Sequence, residues 1–303
     1  MSGDRRTEAE RRSYLAGLLG QGIGPSLSPE LHEREGARQG LRYTYKTVEL
    51  PDSRLDREHL RGLLAHAVEL GFDGLNVTHP VKQVMASLVD DLAPEAAAIG
   101  AINTILVADG GTRGHNTDVT GFAAAVADGL AGAPLDRVVL IGAGGAGTAV
   151  AHALAGMGLS ALWVVDTDPA RAELLVRSVR NRWDVELVTG TPDELPRLTP
   201  AASGLVNATP MGMAAHPGSP VAPELLRDEL WVADIVYRPL LTELVREATR
   251  RGCRVLTGAG MAVNQAADSF ELITTSPADR AAMFRDFDEL VADEVGSANP
   301  RRE

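Results

Sequence analysis

Two lysines, Lys46 and Lys82, stand among 29 basic side chains, and arginine supplies the other 27. Lys82 closes the run Asn76-Val77-Thr78-His79-Pro80-Val81-Lys82, just beyond an apolar segment that reads as a strand. Strand ends in α/β sheets face the ligand crevice. Arginine cannot release a proton near neutral pH, so a lysine there is a candidate proton-transfer amine. Lys46, inside an ordinary strand pattern, shows that lysine also occurs without such a task, and composition alone leaves Lys82 open. Asp118, in Gly114-His115-Asn116-Thr117-Asp118, can pair with an amine and accept a hydrogen bond from a substrate hydroxyl. It equally suits the N-cap of the helix that follows, and both roles can hold. His32, His79 and His115 lie near these runs, but no pair has metal-ligand spacing, so structural roles are expected and no metal.

A second chemistry is written in Gly142-Ala143-Gly144-Gly145-Ala146-Gly147, after the strand pattern VVLI and before a helix. Gly142, Gly144 and Gly147 occupy the positions where missing side chains permit a tight turn, the approach of a pyrophosphate, and close helix-to-strand packing. Backbone amides and the positive helix end then receive phosphates. Asp166 follows 24 residues after Gly142, at the end of LWVVD, where a carboxylate accepts from ribose hydroxyls and repels a 2′-phosphate. The expectation is NAD rather than NADP. Asp168 adds negative charge but suits a helix cap with Pro169 behind it, and Arg171 is placed either to contact the adenosine or to sit in solvent.

Positioning these residues takes an α/β protein. Strands are predicted at 14–19, 43–50, 74–77 and 101–107, in a first, mostly parallel unit. Its helices start at Ser28, read as an N-cap before Pro29, and at Pro51-Asp52-Ser53, the latter closing at Gly71. After a helix over 119–130, a doubly wound pattern follows with strands at 138–141, 161–166, 185–188, 204–208, 231–237 and 254–256. Helices fall between them, the last beginning at Pro239, and two more are expected at about 261–274 and 278–294. Domains are predicted at 13–118, completed by helices over 262–294, and at 119–261, with disordered tails at 1–12 and 295–303.

Composition bounds the partners. The 303 residues are 45% hydrophobic, enough for two full cores, and carry a net charge of −12 that disfavours nucleic acid and anionic lipid surfaces. The single Cys253 cannot form an internal disulfide, and no signal peptide is visible, so a cytoplasmic location is expected. Residues 138–165 lack Asp, Glu, Lys and Arg and could imitate a membrane span, but six glycines and Val-rich ends argue for a buried strand-turn-helix-strand unit.

Together, Ser26-Leu27-Ser28-Pro29, NVTHPVKQ, AINT, GHNTD, GAGGAG, NATPMGM and GAGMAVNQAADSF resemble the shikimate/quinate dehydrogenase family over residues 15–290. The resemblance implies an α/β substrate domain beside a doubly wound Rossmann domain. It implies oxidation of the C3 hydroxyl of shikimate to 3-dehydroshikimate, and the reverse reduction in aromatic biosynthesis. Lys82 and Asp118 match the catalytic pair. Ser26 and Ser28 match holders of the substrate carboxylate, Asn76, Thr78, Asn103 and Gln265 match holders of ring hydroxyls, and Tyr237 matches a pocket tyrosine. Thr209, Met211, Val236, Gly258 and Met261 match positions around the nicotinamide, although ordinary packing explains the two methionines as well. A monomer or homodimer is implied.

Two departures resemble the NAD-dependent quinate/shikimate branch: Asp166-Thr167-Asp168 where many NADP-using members carry an Asn-Arg-Ser/Thr type of sequence, and His79 at a usually aliphatic position. Ser28 pulls the other way, because threonine is familiar there in a quinate-oxidising member. Quinate oxidation is therefore a secondary expectation. The alternatives are an aminoshikimate-type dehydrogenase of secondary metabolism and a non-catalytic NAD- or quinate-sensing protein on the same fold.

Overall fold

The computed structural model describes residues 13–108 and 110–297. Its contacts divide the chain into Met1–Thr117 with Ala266–Glu303, and Asp118–Gln265. The expected tail over 1–12 and the last residues, 298–303, lie outside the described residues.

The first unit runs β1 (Ser13–Gly20), α1 (Ser28–Arg38), β2 (Arg42–Glu49), α2 (Arg57–Glu69), β3 (Gly74–Val77), α3 (Lys82–Ala86), β4 (Asp91–Leu92), α4 (Pro94–Ile99), β5 (Thr104–Ala108) and β6 (Gly111–His115). Its sheet has the order β2-β1-β3-β5-β6-β4. The pairings at β1 are parallel, whereas β5 pairs antiparallel with both β3 and β6. Side chains alternate across the sheet. Leu75 and Val77 therefore enter a core with Leu60, Leu64, Met85, Ile102 and Ile105, and Asn76 between them faces the opposite side.

The second unit contains α5 (Thr117–Gly129) from its second residue, then β7 (Arg137–Ile141), α6 (Gly145–Gly156), β8 (Ala161–Val165), α7 (Pro169–Arg180), β9 (Glu186–Gly190), α8 (Leu195–Leu198), β10 (Gly204–Asn207), β11 (Trp231–Asp234), α9 (Glu243–Arg250) and β12 (Arg254–Leu256). Helix α10 (Gly258–Thr274) begins here and ends in the first unit, which α11 (Arg280–Ser297) completes. The order β12-β11-β10-β7-β8-β9, parallel throughout, is the doubly wound arrangement, with its switch point between β7 and β10. Val138 and Leu140 fill the core on one face of this sheet, and Val139 and Ile141 the core on the other. That two-sided burial explains the uncharged stretch 138–165. No helix among the described residues is long and apolar enough to cross a membrane.

Several predicted helix starts move. Leu27, not Ser28, is the N-cap of α1, and the amide of Ser28 donates to Ser26 Oγ at 3.3 Å. Residues Asp52–Arg54 form a separate 3-10 turn, and α2 starts after Asp56, whose side chain accepts from the His59 amide. Asp118 lies inside the first turn of α5 rather than at its cap, because α5 begins at Thr117. Helix α9 begins after Thr242 instead of at Pro239, and α11 continues to Ser297, past the expected start of the C-terminal tail.

Candidate functional site

In the first unit, the predicted residues cluster where β1 and β3 end. Ser26 in the loop after β1 and Ser28 at the start of α1 are both half-buried, and the loop is tied to the other strand end by the Gln21 amide donating to His79 O at 3.0 Å. The Thr78 amide donates to Leu19 O at 2.9 Å. A Cβ on Gly20 would lie 2.3 Å from Thr78 Cγ2, so the bare glycine is what lets Thr78 seat there. Lys82 is half-buried at the first position of α3, and its carbonyl accepts from the Ile102 amide at 3.2 Å. Lys46 is exposed on β2. The sequence contrast between the two lysines thus corresponds to different places in the fold.

Asn76 is buried and heavily engaged. Its Oδ1 accepts from Tyr45 Oη at 2.8 Å, and its Nδ2 lies 2.6 Å from Ser269 Oγ, 3.0 Å from Thr104 Oγ1 and 3.3 Å from Asn103 O. Both amide hydrogens are spoken for, and Oδ1 keeps one further lone pair for a hydroxyl donor. Asn103 Oδ1 accepts from the Thr117 amide at 2.8 Å, and its Nδ2 donates to Thr117 Oγ1 at 2.8 Å. It thereby caps α5, the helix that carries Asp118. Asp118 itself is 6% exposed, among few carboxylates so buried.

In the second unit, Gly142, Gly144 and Gly147 of the turn after β7 meet different surroundings. Gly142 has φ 101°, and a Cβ there would meet Ala208 O at 2.7 Å. A Cβ on Gly147 would fall 1.9 Å from Gly142 O, so α6 could not approach the turn with any side chain present. Gly144, with φ −75° and ψ −170°, has nothing within 4 Å of the same position. The turn is closed by packing on both sides and open at its middle glycine. The amides of Gly145, Ala146 and Gly147 open α6, where donors have no acceptor within the helix.

Asp166 joins that turn directly. Its Oδ2 accepts from the Ala143 amide at 2.7 Å and its Oδ1 from the Asp168 amide at 2.8 Å. A carboxylate has about four lone-pair sites, so two remain for ribose hydroxyls. Asp168 caps α7, accepting from the Ala170 amide, and lies 3.5 Å from exposed Arg171. The residues present therefore fit a dinucleotide: an open cradle for the diphosphate and a fixed acceptor for the ribose.

Thr209 follows β10, across the switch point. Its hydroxyl donates to Asn207 Oδ1 at 2.7 Å, while Asn207 Nδ2 donates to Met211 O at 3.0 Å and to Asp234 Oδ1 at 2.9 Å. Asp234 also accepts from Thr242 Oγ1 at 2.7 Å and from the Val236 amide at 3.0 Å. Burial raises the Asp234 carboxyl above the ordinary aspartate value despite these three donors. Gly258 packs so closely on the chain after β11 that a Cβ would lie 2.6 Å from Val236 O. Met261 joins the apolar core, whereas Met211 is 39% exposed. Gln265 lies against Gly121, its backbone nitrogen 2.7 Å from a Cβ built there, and Tyr237 is half-buried after β11. Sequence reasoning missed Tyr45, Ser269, Asn207, Asp234 and Thr242. Asp234, a carboxylate at the end of the run WVAD, carried a signal of its own, and Asn207 and Ser269 lie inside the motifs NATPMGM and GAGMAVNQAADSF.

Among known proteins, residues 18–105 match the family model described as the shikimate dehydrogenase substrate binding domain. The chain is 54% identical over 279 residues to the shikimate dehydrogenase (NADP(+)) of Streptomyces avermitilis, covering 92% of this chain and 96% of that one. This chain belongs to the shikimate dehydrogenase family. The quinate/shikimate dehydrogenase (NAD(+)) of Corynebacterium glutamicum is 44% identical over 277 residues, covering 91% of this chain and 98% of its own. A quinate dehydrogenase from Corynebacterium glutamicum, solved in complex with NAD, superposes with a TM-score of 0.86 at 42% identity, covering 91% of this chain and 99% of the other. As a shikimate dehydrogenase family member the chain is an oxidoreductase that uses a nicotinamide cofactor. The family match falls on the unit that holds Ser26, Ser28, Asn76, Thr78, Lys82 and Asn103.

Proposed function

We propose that this chain is an NAD-dependent shikimate dehydrogenase that also oxidises quinate. The observation that carries the cofactor choice is Asp166, held by the Ala143 and Asp168 amides beside the glycine turn. An ionised acceptor there favours the bare ribose and opposes a 2′-phosphate. Relatives that use NADP and relatives that use NAD both lie close to this chain, so the assignment rests on its own residues.

The cofactor, when bound, supplies the acceptor for the hydride leaving C3. The chain supplies the rest. Ser26 and Ser28 hold the substrate carboxylate through their hydroxyls. Thr78, Asn103, Gln265 and the remaining Oδ1 lone pair of Asn76 hold the ring hydroxyls, with Tyr237 lining the pocket. Lys82 Nζ takes the proton of the C3 hydroxyl, and Asp118 orients that amine and accepts from a neighbouring hydroxyl. A positioned base of this kind contributes on the order of 10² to 10⁴ in rate. Thr209, Met211, Val236, Gly258 and Met261 surround the nicotinamide, and Gly142 to Gly147, Asp166 and Arg171 hold the adenosine diphosphate part. Overall negative charge does not assist an anionic substrate, so local hydroxyls and amides must bind it. Buried Cys253 suits a reducing compartment such as the cytoplasm.

The test is a panel of shikimate, quinate and an amino analogue against NAD and NADP, read as kcat/KM from NADH or NADPH absorbance. Shikimate with NAD is expected to lead. Equal or better turnover with NADP overturns the cofactor assignment, and a lead by the amino analogue overturns the substrate.

A further inference from the structure

The geometry points to Glu49 as the positioning residue of the substrate-carboxylate loop, an inference that rests on the proposed role of Ser26 and Ser28. Glu49 ends β2, beside β1 in register with Gly20, and its carboxylate reaches across to the loop that leaves β1. Oε1 accepts from the Gly22 amide at 2.6 Å and Oε2 from the Ile23 amide at 3.0 Å. Two consecutive backbone amides are thus clamped by one carboxylate. Charge-assisted bonds of this type are about twice as strong as neutral ones.

The clamp is continuous with the serines. Ile23 is buried, and its carbonyl accepts from the Ser26 amide at 2.9 Å. Ser26 Oγ in turn accepts from the Ser28 amide at 3.3 Å, which leaves its O–H to donate outward. Leu27, between the serines, is buried and anchors the far side of the loop. Gly22 has φ 63°, and no atom lies within 4 Å of a Cβ built on Gly22 or Gly24, so packing holds residues 22–24 at Ile23, which joins the apolar core. Glu49 holds the backbone amides of that stretch.

A clamp also removes a competitor. Successive amides in a turn with one left-handed residue form an anion-binding concavity. With Glu49 occupying those of Gly22 and Ile23, the serine hydroxyls are the donors this loop presents to an incoming carboxylate. Glu49 therefore sets where the substrate carboxylate is held, without touching substrate.

Glu49→Ala, with Glu49→Gln as a second variant that keeps one acceptor, tests this in the full-length enzyme with shikimate and with its neutral methyl ester. The expected result for Glu49→Ala is a rise in KM for shikimate of about tenfold with kcat within about threefold, and an unchanged KM for NAD. Glu49→Gln falls between the two. The methyl ester, lacking the ionised group the serines hold, responds to either variant by less than about twofold. A merely structural role would lower the active fraction and leave KM in place. Unchanged KM for shikimate, or an equal rise for the ester, overturns the inference. Absence of turnover by the unaltered chain overturns the reading of the site and this inference with it.

Discussion

Gly144 and Gly147 occupy the same turn but should respond oppositely to one added methyl group. At Gly147 the Cβ would fall 1.9 Å from Gly142 O, and Gly142 is itself backed by Ala208 O at 2.7 Å from its own Cβ position. Carbon and oxygen need more than 3 Å, so the turn must move by about 1 Å with nowhere to go. Overpacking of this kind costs about 1–3 kcal/mol. At Gly144 the space is empty and the backbone, at φ −75°, suits alanine. There a small N-cap loss is offset by the lower chain entropy of alanine, leaving stability within about 1 kcal/mol of the unaltered chain. If a pyrophosphate occupies that empty space, Gly144→Ala loses at least about tenfold in dinucleotide affinity, or 1.4 kcal/mol. Urea denaturation reads the first quantity and titration of NADH fluorescence the second. The expected pattern is a stable Gly144→Ala that binds poorly and a destabilised Gly147→Ala. Gly144→Ala binding NADH within about twofold of the unaltered chain would refute the assignment of this turn to the phosphates.

Other positions carry their own expectations. Burial lowers the His32 pKa to about 3, so the folded chain keeps it neutral while the unfolded chain protonates it below about 6.5; stability is full above that pH and falls as pH drops. Between pH 7.5 and 5.0 that is about 1.5 decades at 1.36 kcal/mol each, or roughly 2 kcal/mol, and His32→Phe should remove that much of the pH dependence in urea melts. An unchanged slope sinks the claim. Tyr45→Phe strips the donor from buried Asn76 Oδ1 and should cost about 1–3 kcal/mol, whereas Ser269→Ala leaves Asn76 Nδ2 with Thr104 Oγ1 and Asn103 O and should cost less. Equal losses would contradict the network. Asp166→Asn removes a charge that costs a nearly divalent 2′-phosphate about 1 kcal/mol per unit charge even in water, so the NADP-to-NAD ratio of kcat/KM should rise at least about tenfold. No change in that ratio would move the specificity elsewhere.

Much of this was legible in the sequence, for reasons that differ by element. Strands 74–77 and 254–256 were bounded correctly because turn residues or charged residues end each apolar run. Asp168 was readable as a cap because Pro169 and Ala170, whose amide donates to it, follow it directly in sequence. Helix α5 was not, because its first amide is capped by Asn103, 14 residues away. The antiparallel pairing of β5 with β6 was hidden by the expectation of crossovers, although residues 109–111, Asp-Gly-Gly, carry a hairpin signal. The glycine turn was predicted by position, but only the fold separates its packing glycines from the open one. Asn207, Asp234 and Thr242 belong to three separate segments and meet only when β10 and β11 pair. Asn76 was read by resemblance as a ligand, and its bonds to Tyr45 and Ser269 appear only once β2 and α10 are in place.

The central claim is that Lys82 moves the proton when shikimate is oxidised with NAD. Its most direct test is kcat for NADH formation from shikimate by Lys82→Ala beside Lys46→Ala, with substrate binding measured separately by calorimetry. Lys82→Ala is expected to lose at least about 10²-fold in kcat with modestly weakened binding, and Lys46→Ala to be nearly silent. Retention of more than about a tenth of kcat by Lys82→Ala would contradict it.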